Sequence, residues 1–149
     1  MRSGRAGFSA LELVVVVAIA GVMMAWSYPR LASLSSHYRL DGAAWNLATA
    51  LQKTRLRAIA EGTRFQVVFD AAQKTYQVQK EGAPGVFAND GAARQIEESG
   101  GIGMAATATP IFTTRGALET GTTCVVTLSS PAGGARLVSA QLGGRVLVQ

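Results

Sequence analysis

The stretch that most constrains this chain is Gly7-Phe8-Ser9-Ala10-Leu11-Glu12, which leads into an apolar run from Leu13 to Trp26. About twenty apolar or small residues in a helix span roughly 30 Å, one bilayer core. Arg2 and Arg5 stand ahead of Phe8. A basic flank of this kind stays cytoplasmic, which puts the rest of the chain on the far side. Glu12 is the one charge in the segment. A carboxylate there costs on the order of 2.5–3.5 kcal/mol by insertion scales, so it calls for a partner. Cutting the chain after Gly7 would supply one, because the amino group of Phe8 would lie one helical turn from Glu12. In a helical stack of identical segments, Glu12 of one subunit would meet the Phe8 amine of its neighbour. Two plainer readings compete. A simple membrane anchor leaves Glu12 unexplained. A secretory signal peptide needs a small-residue site after its apolar core, and Ser27-Tyr28-Pro29-Arg30 is a poor one, so the segment is expected to be retained.

This pattern of short basic leader, Gly, Phe, a Glu four residues later and an apolar helix resembles the class III signal of type IV pilins and type II secretion pseudopilins. The resemblance implies that a prepilin peptidase cleaves after Gly7 and N-methylates Phe8. It also implies that Glu12 is the assembly carboxylate and that Pro29 is the helix-breaking proline beyond the run. The implied location is the bacterial inner membrane, crossed once with the head in the periplasm, and afterwards an assembled filament. The expected partners are other pilin or pseudopilin subunits, prepilin peptidase and membrane lipid.

The 149 residues leave room for one anchor and one small domain, with roughly ninety residues for a globular head. The expected divisions are a leader at 1–7, a membrane and assembly helix at 8–28, an amphipathic helix at 29–61 and a β-rich head at 62–149. The net charge of +5 includes Arg2 and Arg5 and is weak evidence for a nucleic-acid partner. Cys124, the one cysteine, cannot form an internal disulfide and reads as a buried free thiol.

Helical character is expected to continue past Pro29 to about Ala60. Pro29 should kink or open it, and Gly42 is a second soft point. Leu31, Leu34 and Tyr38 recur at helical spacing. Ala44, Leu47, Ala48, Leu51, Leu56 and Ile59 then form an apolar stripe, with Gln52, Lys53, Arg55 and Arg57 on a solvated face. Glu61-Gly62 supplies a stop. The period then changes. Arg64–Phe69 and Lys74–Gln79 read as a hairpin closed by a turn at Asp70–Gln73. Gly82–Gly91 reads as a loop, Arg94–Glu97 as a short strand and Gly100–Gly103 as flexible chain. Pro110–Phe112 reads as a strand ending at Arg115-Gly116, and Thr122–Leu128 as another strand. Pro131–Gly134 is a turn. Arg136–Gln141 and Arg145–Val148 form a last hairpin through Gly143-Gly144. The fold class is α+β, a long N-terminal helix packed on an antiparallel sheet.

The head also resembles the GspH/FimT family of minor pilins and minor pseudopilins. The resemblance rests on a helix carrying Arg55 and Ala58-Ile59, a hairpin, Phe112 shortly before Gly116, and an ending with Gly144-Arg145-Val146. It spans roughly Leu47 to Val148 and implies a pilin-like fold. Some members implicated in DNA uptake end in Gly-Arg-x-Arg; here Leu147 stands where the second Arg would be.

No enzyme, metal site or cofactor follows from the residues. His37 is the one histidine, and there is no Cys-x-x-Cys pair. The adjacent Glu97 and Glu98 would point to opposite faces of a strand. The Gly-rich pieces lack a Walker ending. Two readings stand. One is a filament subunit of a type II secretion system or type IV pilus. The other is a head that captures DNA for uptake in natural transformation, through Arg136 and Arg145 with Arg115 and Arg94.

Overall fold

The computed structural model describes residues 9–96, 101–119, 121 and 123–149, with backbone only for 27–34. Gly7, Phe8, Glu97 and Glu98 lie outside the described residues. By its contacts the chain divides into two units that meet between Ser35 and Ser36.

Helix α1 is Ala10–Glu61. Its first bonds run from the Glu12 and Leu13 amides to the Ser9 carbonyl, at 3.0 and 3.2 Å. Ser9 therefore stands at the N-cap, and Ser9-x-x-Glu12 has the spacing of a capping box. The backbone is helical on both sides of Pro29 and through Gly42, so neither residue ends the helix. In the first unit, Leu11, the valines from Val14 to Val17, Ile19, Met23 and Trp26 are all exposed. The helix is thus apolar on every face there, without a polar side to give to water. No helix among the described residues is long and apolar enough to cross a membrane. The expected 8–28 segment runs past the described side chains at both ends, at Phe8 and at Ser27-Tyr28.

In the second unit α1 buries Leu40, Ala43, Ala44, Leu47, Ala48, Leu51, Thr54 and Ala58. These positions recur every three or four residues, and the alanines let sheet side chains approach the helix closely. The Thr54 hydroxyl donates to the Ala50 carbonyl at 2.8 Å, which satisfies the one polar group of the stripe. The expected stripe needs correction at its end. Leu56 and Ile59 are exposed, and Tyr38 is too. The buried row passes through Thr54 and Ala58, which continue the spacing from Leu51. The helix stops as expected, with Gly62 at φ 61°.

The strands form two antiparallel sheets where the sequence suggested one. In the first, β1 (Phe65–Asp70) lies between β2 (Thr75–Ala83) and β6 (Ile111–Phe112). The far side of β2 is shared by β3 (Val86–Asn89) and β4 (Arg94–Gln95). The second sheet runs in the order β5 (Gly103–Ala106), β7 (Cys124–Ser129), β8 (Ala135–Ala140) and β9 (Val146–Val148). The β1–β2 and β8–β9 hairpins are the expected ones. The Asp70 carboxylate accepts the Ala72 and Gln73 amides, both at 2.9 Å, and closes the first turn.

Two expected irregular stretches contain strands. Within Gly82–Gly91 the chain folds back as β3, because Gly85 takes φ 77° and its amide donates to the Glu81 carboxylate at 2.6 Å. After Gly101, β5 pairs with β7 although its residues are Gly, Met and Ala, which have little strand preference. Gly103 packs closely there: a Cβ would stand 2.7 Å from the Ser129 hydroxyl, which would have to turn away.

Both sheets bury their inner faces with those helix residues. Phe65, Val67 and Phe112 come from the first sheet, and Cys124, Val126, Leu128, Val138 and Ala140 from the second. Phe65 and Phe112 are cross-strand partners and fully buried. Cys124 is the expected buried free thiol; its Sγ donates to the Ala108 carbonyl at 3.0 Å, and burial raises its pKa. Phe112→Ala should destabilise the head by about 3–5 kcal/mol through transfer and cavity terms. Urea unfolding of the detergent-solubilised chain checks this, with the half-buried Phe87→Ala as a milder comparison.

Candidate functional site

Two places carry the functional expectations: the start of α1 and the arginine-bearing turns of the head. At the first, Glu12 is exposed and sits in the first turn, where its charge complements the helix dipole. Among the described residues it has no ion partner.

In the head, the four candidate arginines lie on four different elements. Arg94 lies on β4 and lines a cleft with Lys53 and Tyr76. Arg115 lies on the turn after β6, in a cleft with Arg64 and Glu81. Arg145 precedes β9 and lines a groove with Trp45 and Leu56. Arg136 on β8 is neutralised: its Nε donates to Asp41 Oδ1 on α1 at 2.6 Å. Ninety-five residues separate Arg136 and Asp41, so no local pattern could have revealed the pair. His37 is exposed on α1 and close to Gly134, in a packing position with no chemical role implied.

The functional reading of Arg55 changes most. The sequence placed it on a solvated face, yet it is half-buried and its Nε donates to the Gly116 carbonyl at 2.9 Å. Gly116 has φ 76° and Gly144 φ 77°. A Cβ on Gly116 would stand 2.6 Å from Ile59 Cδ1. A Cβ on Gly144 would overlap the Gly116 carbonyl and stand 2.6 Å from Arg55 Nε. Helix, β6 turn and β8–β9 turn therefore meet at one point that leaves no room for a side chain on Gly144, while Gly116 is held to glycine by its left-handed backbone. The contact sets Arg115 and Arg145 on adjacent turns. The Leu118 amide donates to the Leu142 carbonyl at 2.9 Å and ties the same two turns again.

Ion pairs brace the adjoining part of the first sheet, beside the β6 turn. Arg64 holds Glu81 in a two-pronged pair, with Nε 2.7 Å from Oε2, and also reaches Glu119. Arg64 and the Gly85 amide hold the Glu81 carboxyl down at about 2. Lys80 and Arg57 lower the Glu61 carboxyl in the same way. Arg57 also pairs with Asp90, which raises its own pKa. Among the described residues no cluster of His, Cys, Asp or Glu is placed to hold a metal ion.

No family model matches the sequence, and neither does any curated protein. Solved structures do match the fold. One is the minor pseudopilin EpsH from the type 2 secretion system of Vibrio cholerae, at 14% identity and TM-score 0.62, covering 74% of this chain and 96% of that one. Another is the type IV minor pilin FimU of Pseudomonas aeruginosa, at 19% identity and TM-score 0.64, covering 78% and 92%. The chain has the α+β pilin-like fold of these minor subunits. Both neighbours are pilin-type subunits by description.

Gly144→Ala should cost about 2–4 kcal/mol through the steric overlap and the left-handed backbone. Gly143→Ala, whose Cβ would meet open space, should be nearly neutral; thermal unfolding of the two variants checks the difference. Glu81 supplies a pH test. Its folded pKa is depressed, so its stabilisation is present above the unfolded carboxylate value near 4.3 and is lost as pH falls through about 2. Glu81→Gln should therefore lower Tm at pH 7 and flatten the fall in Tm between pH 4.5 and 2.

Proposed function

We propose that this chain, which has the fold of minor pilins and minor pseudopilins, is a minor subunit of a type II secretion pseudopilus or a type IV pilus. Prepilin peptidase cuts after Gly7 and methylates Phe8. The subunit waits in the inner membrane with its head in the periplasm, and then enters the filament through α1. The proposed divisions are leader 1–7, membrane and assembly helix 8–28, amphipathic helix 29–61 and head 62–149.

The observation that carries this reading is the apolar exposure of α1 from Leu11 to Trp26 on all faces, with Glu12 as its one charge. Such a surface is stable only against lipid or against other apolar helices. Both are available to a subunit that moves from membrane to filament. Once helices pack on helices, an unpaired Glu12 would sit in a dry environment at high cost. Pairing with the Phe8 amine of a neighbour removes that cost and sets axial register. Pro29 marks where the apolar run gives way to the amphipathic part of the helix.

A DNA-capturing head is the weaker reading. Its arginine set has Arg136 paired with Asp41 and Arg94 in a separate cleft, which leaves Arg115 and Arg145 on adjacent turns.

The Ser9-x-x-Glu12 spacing guides the choice of variant. Glu12→Gln keeps a capping residue and removes the charge. It should leave peptidase processing and membrane fractionation intact while lowering recovery in sheared filaments at least tenfold. Intact mass with and without prepilin peptidase is the companion measurement: the expected product starts at methylated Phe8. Wild-type filament incorporation of Glu12→Gln, or a chain that still starts at Met1, would sink the proposal.

A further inference from the structure

The four-stranded sheet ends at β9, and among the described residues no strand pairs with its outer side. The register fixes which groups face outward. Leu137 and Gln149 exchange both backbone bonds, each at 2.9 Å, and the Gln141 amide donates to the Arg145 carbonyl at 2.8 Å. Between these sites Val148 opposes Val138 and Val146 opposes Ala140. In an antiparallel pair the bonded and non-bonded positions alternate, so the N–H and C=O groups of Val146 and Val148 point away from β8. They present two donors and two acceptors along a free edge.

Beside that edge lies a groove of about 550 Å³ whose other wall is α1. Trp45 is 63% exposed and Leu56 61% exposed, and both line it with Ala48 and Gln52. These helix positions recur at three- and four-residue steps, so one helix face runs along the strand. Arg145 is exposed, and no described residue pairs with it. Arg55 uses Nε on the Gly116 carbonyl and also lines the groove. None of the lining residues is acidic. The groove is therefore mostly apolar, positive at Arg145 and Arg55, and bordered by unsatisfied strand hydrogen bonds.

We infer that this groove docks an extended segment of a protein partner, which adds a strand to β9. The segment is apolar at alternate positions and carries a carboxylate that meets Arg145. Three features select that occupant together. The outward Val146 and Val148 groups demand a strand. Trp45 and Leu56 demand apolar side chains on its inward face. The unpaired Arg145, with no acid nearby, demands a negative charge. A lipid or small molecule would leave the backbone edge unpaired. The inference concerns the head and holds however the N-terminus is processed.

Trp45 is a built-in reporter. The experiment uses the full chain in detergent with Trp26→Phe, so that Trp45 alone emits. The probes are end-capped eight-residue peptides of alternating Val and Thr, with one Thr replaced by Glu at each position in turn. Matching Lys peptides, and a thymidine oligonucleotide of similar length, are the controls. At least one Glu peptide should reduce acrylamide quenching of Trp45 about threefold and bind at least tenfold more tightly than its Lys counterpart. Arg145→Glu should reverse that preference. Val148→Pro should abolish binding while the head stays folded, with Tm lowered only by the lost valine packing, because the amide it removes faces outward and proline is tolerated on such an edge. Should Val148→Pro unfold the head, N-methylation of the peptide's groove-facing amides applies the same test from the other side. The inference is overturned if no peptide protects Trp45, if Glu and Lys peptides bind alike, if binding survives loss of the backbone donors, or if only the oligonucleotide protects.

Discussion

One contact governs how the head is put together: Arg55 on the helix, the Gly116 carbonyl and the backbone of Gly144. It is a single hydrogen bond at 2.9 Å, from a charged donor to a carbonyl, and bonds to charged groups contribute about 1.5–3 kcal/mol. Its importance lies in what it joins. Gly116 follows the edge strand of one sheet, and Gly144 precedes the edge strand of the other. Neither sheet is hydrogen-bonded to the other as a ladder, so the helix and these two turns fix their mutual position at this end. The shared apolar core supplies most of the free energy, and Gly144 fixes the approach of the two turns, since a Cβ there would collide with the Gly116 backbone and with Arg55.

That arrangement explains which parts of the sequence could be read and which could not. The β1–β2 and β8–β9 hairpins were legible because alternation and turn residues are local signals. So was the helix stop at Gly62. The strands β3 and β5 were not. β3 depends on Glu81 accepting the Gly85 amide, and β5 is built from small residues whose pairing is set by β7. Along α1, periodicity found the buried face as far as Leu51 and then followed Leu56 and Ile59, which are exposed. The true continuation uses Thr54 and Ala58, a polar and a small residue that no hydropathy pattern favours. Arg55 was assigned to water for the same reason: a period gives the direction of a side chain and says nothing of a partner sixty-one residues away.

The charged residues teach the same lesson with opposite outcomes. Read by sign alone, Arg136 and Arg145 were equivalent members of a basic set. In the fold Arg136 meets Asp41 and its charge is locally cancelled, whereas Arg145 remains beside an apolar groove without an acid. Partnership separates a structural arginine from an available one. It also weakens a diffuse electrostatic surface for nucleic acid, because phosphate binding gains from several cations that act together.

Exposed sheet edges invite indiscriminate pairing, and proteins blunt them by keeping them short or by placing charges beside them. β9 has both protections, since it is only three residues long and Arg145 immediately precedes it. Yet its neighbour across the groove is a tryptophan that is mostly in water, which is the opposite of blunting. A surface that repels generic strands by brevity and charge, and rewards one that brings both apolar side chains and a carboxylate, is selective by construction. The apolar faces of the N-terminal part of α1 have no such selectivity, because an all-round apolar surface packs on lipid or on any similar helix. In the head, the Arg55 contact places the β8–β9 turn, and with it Arg145, alongside Trp45.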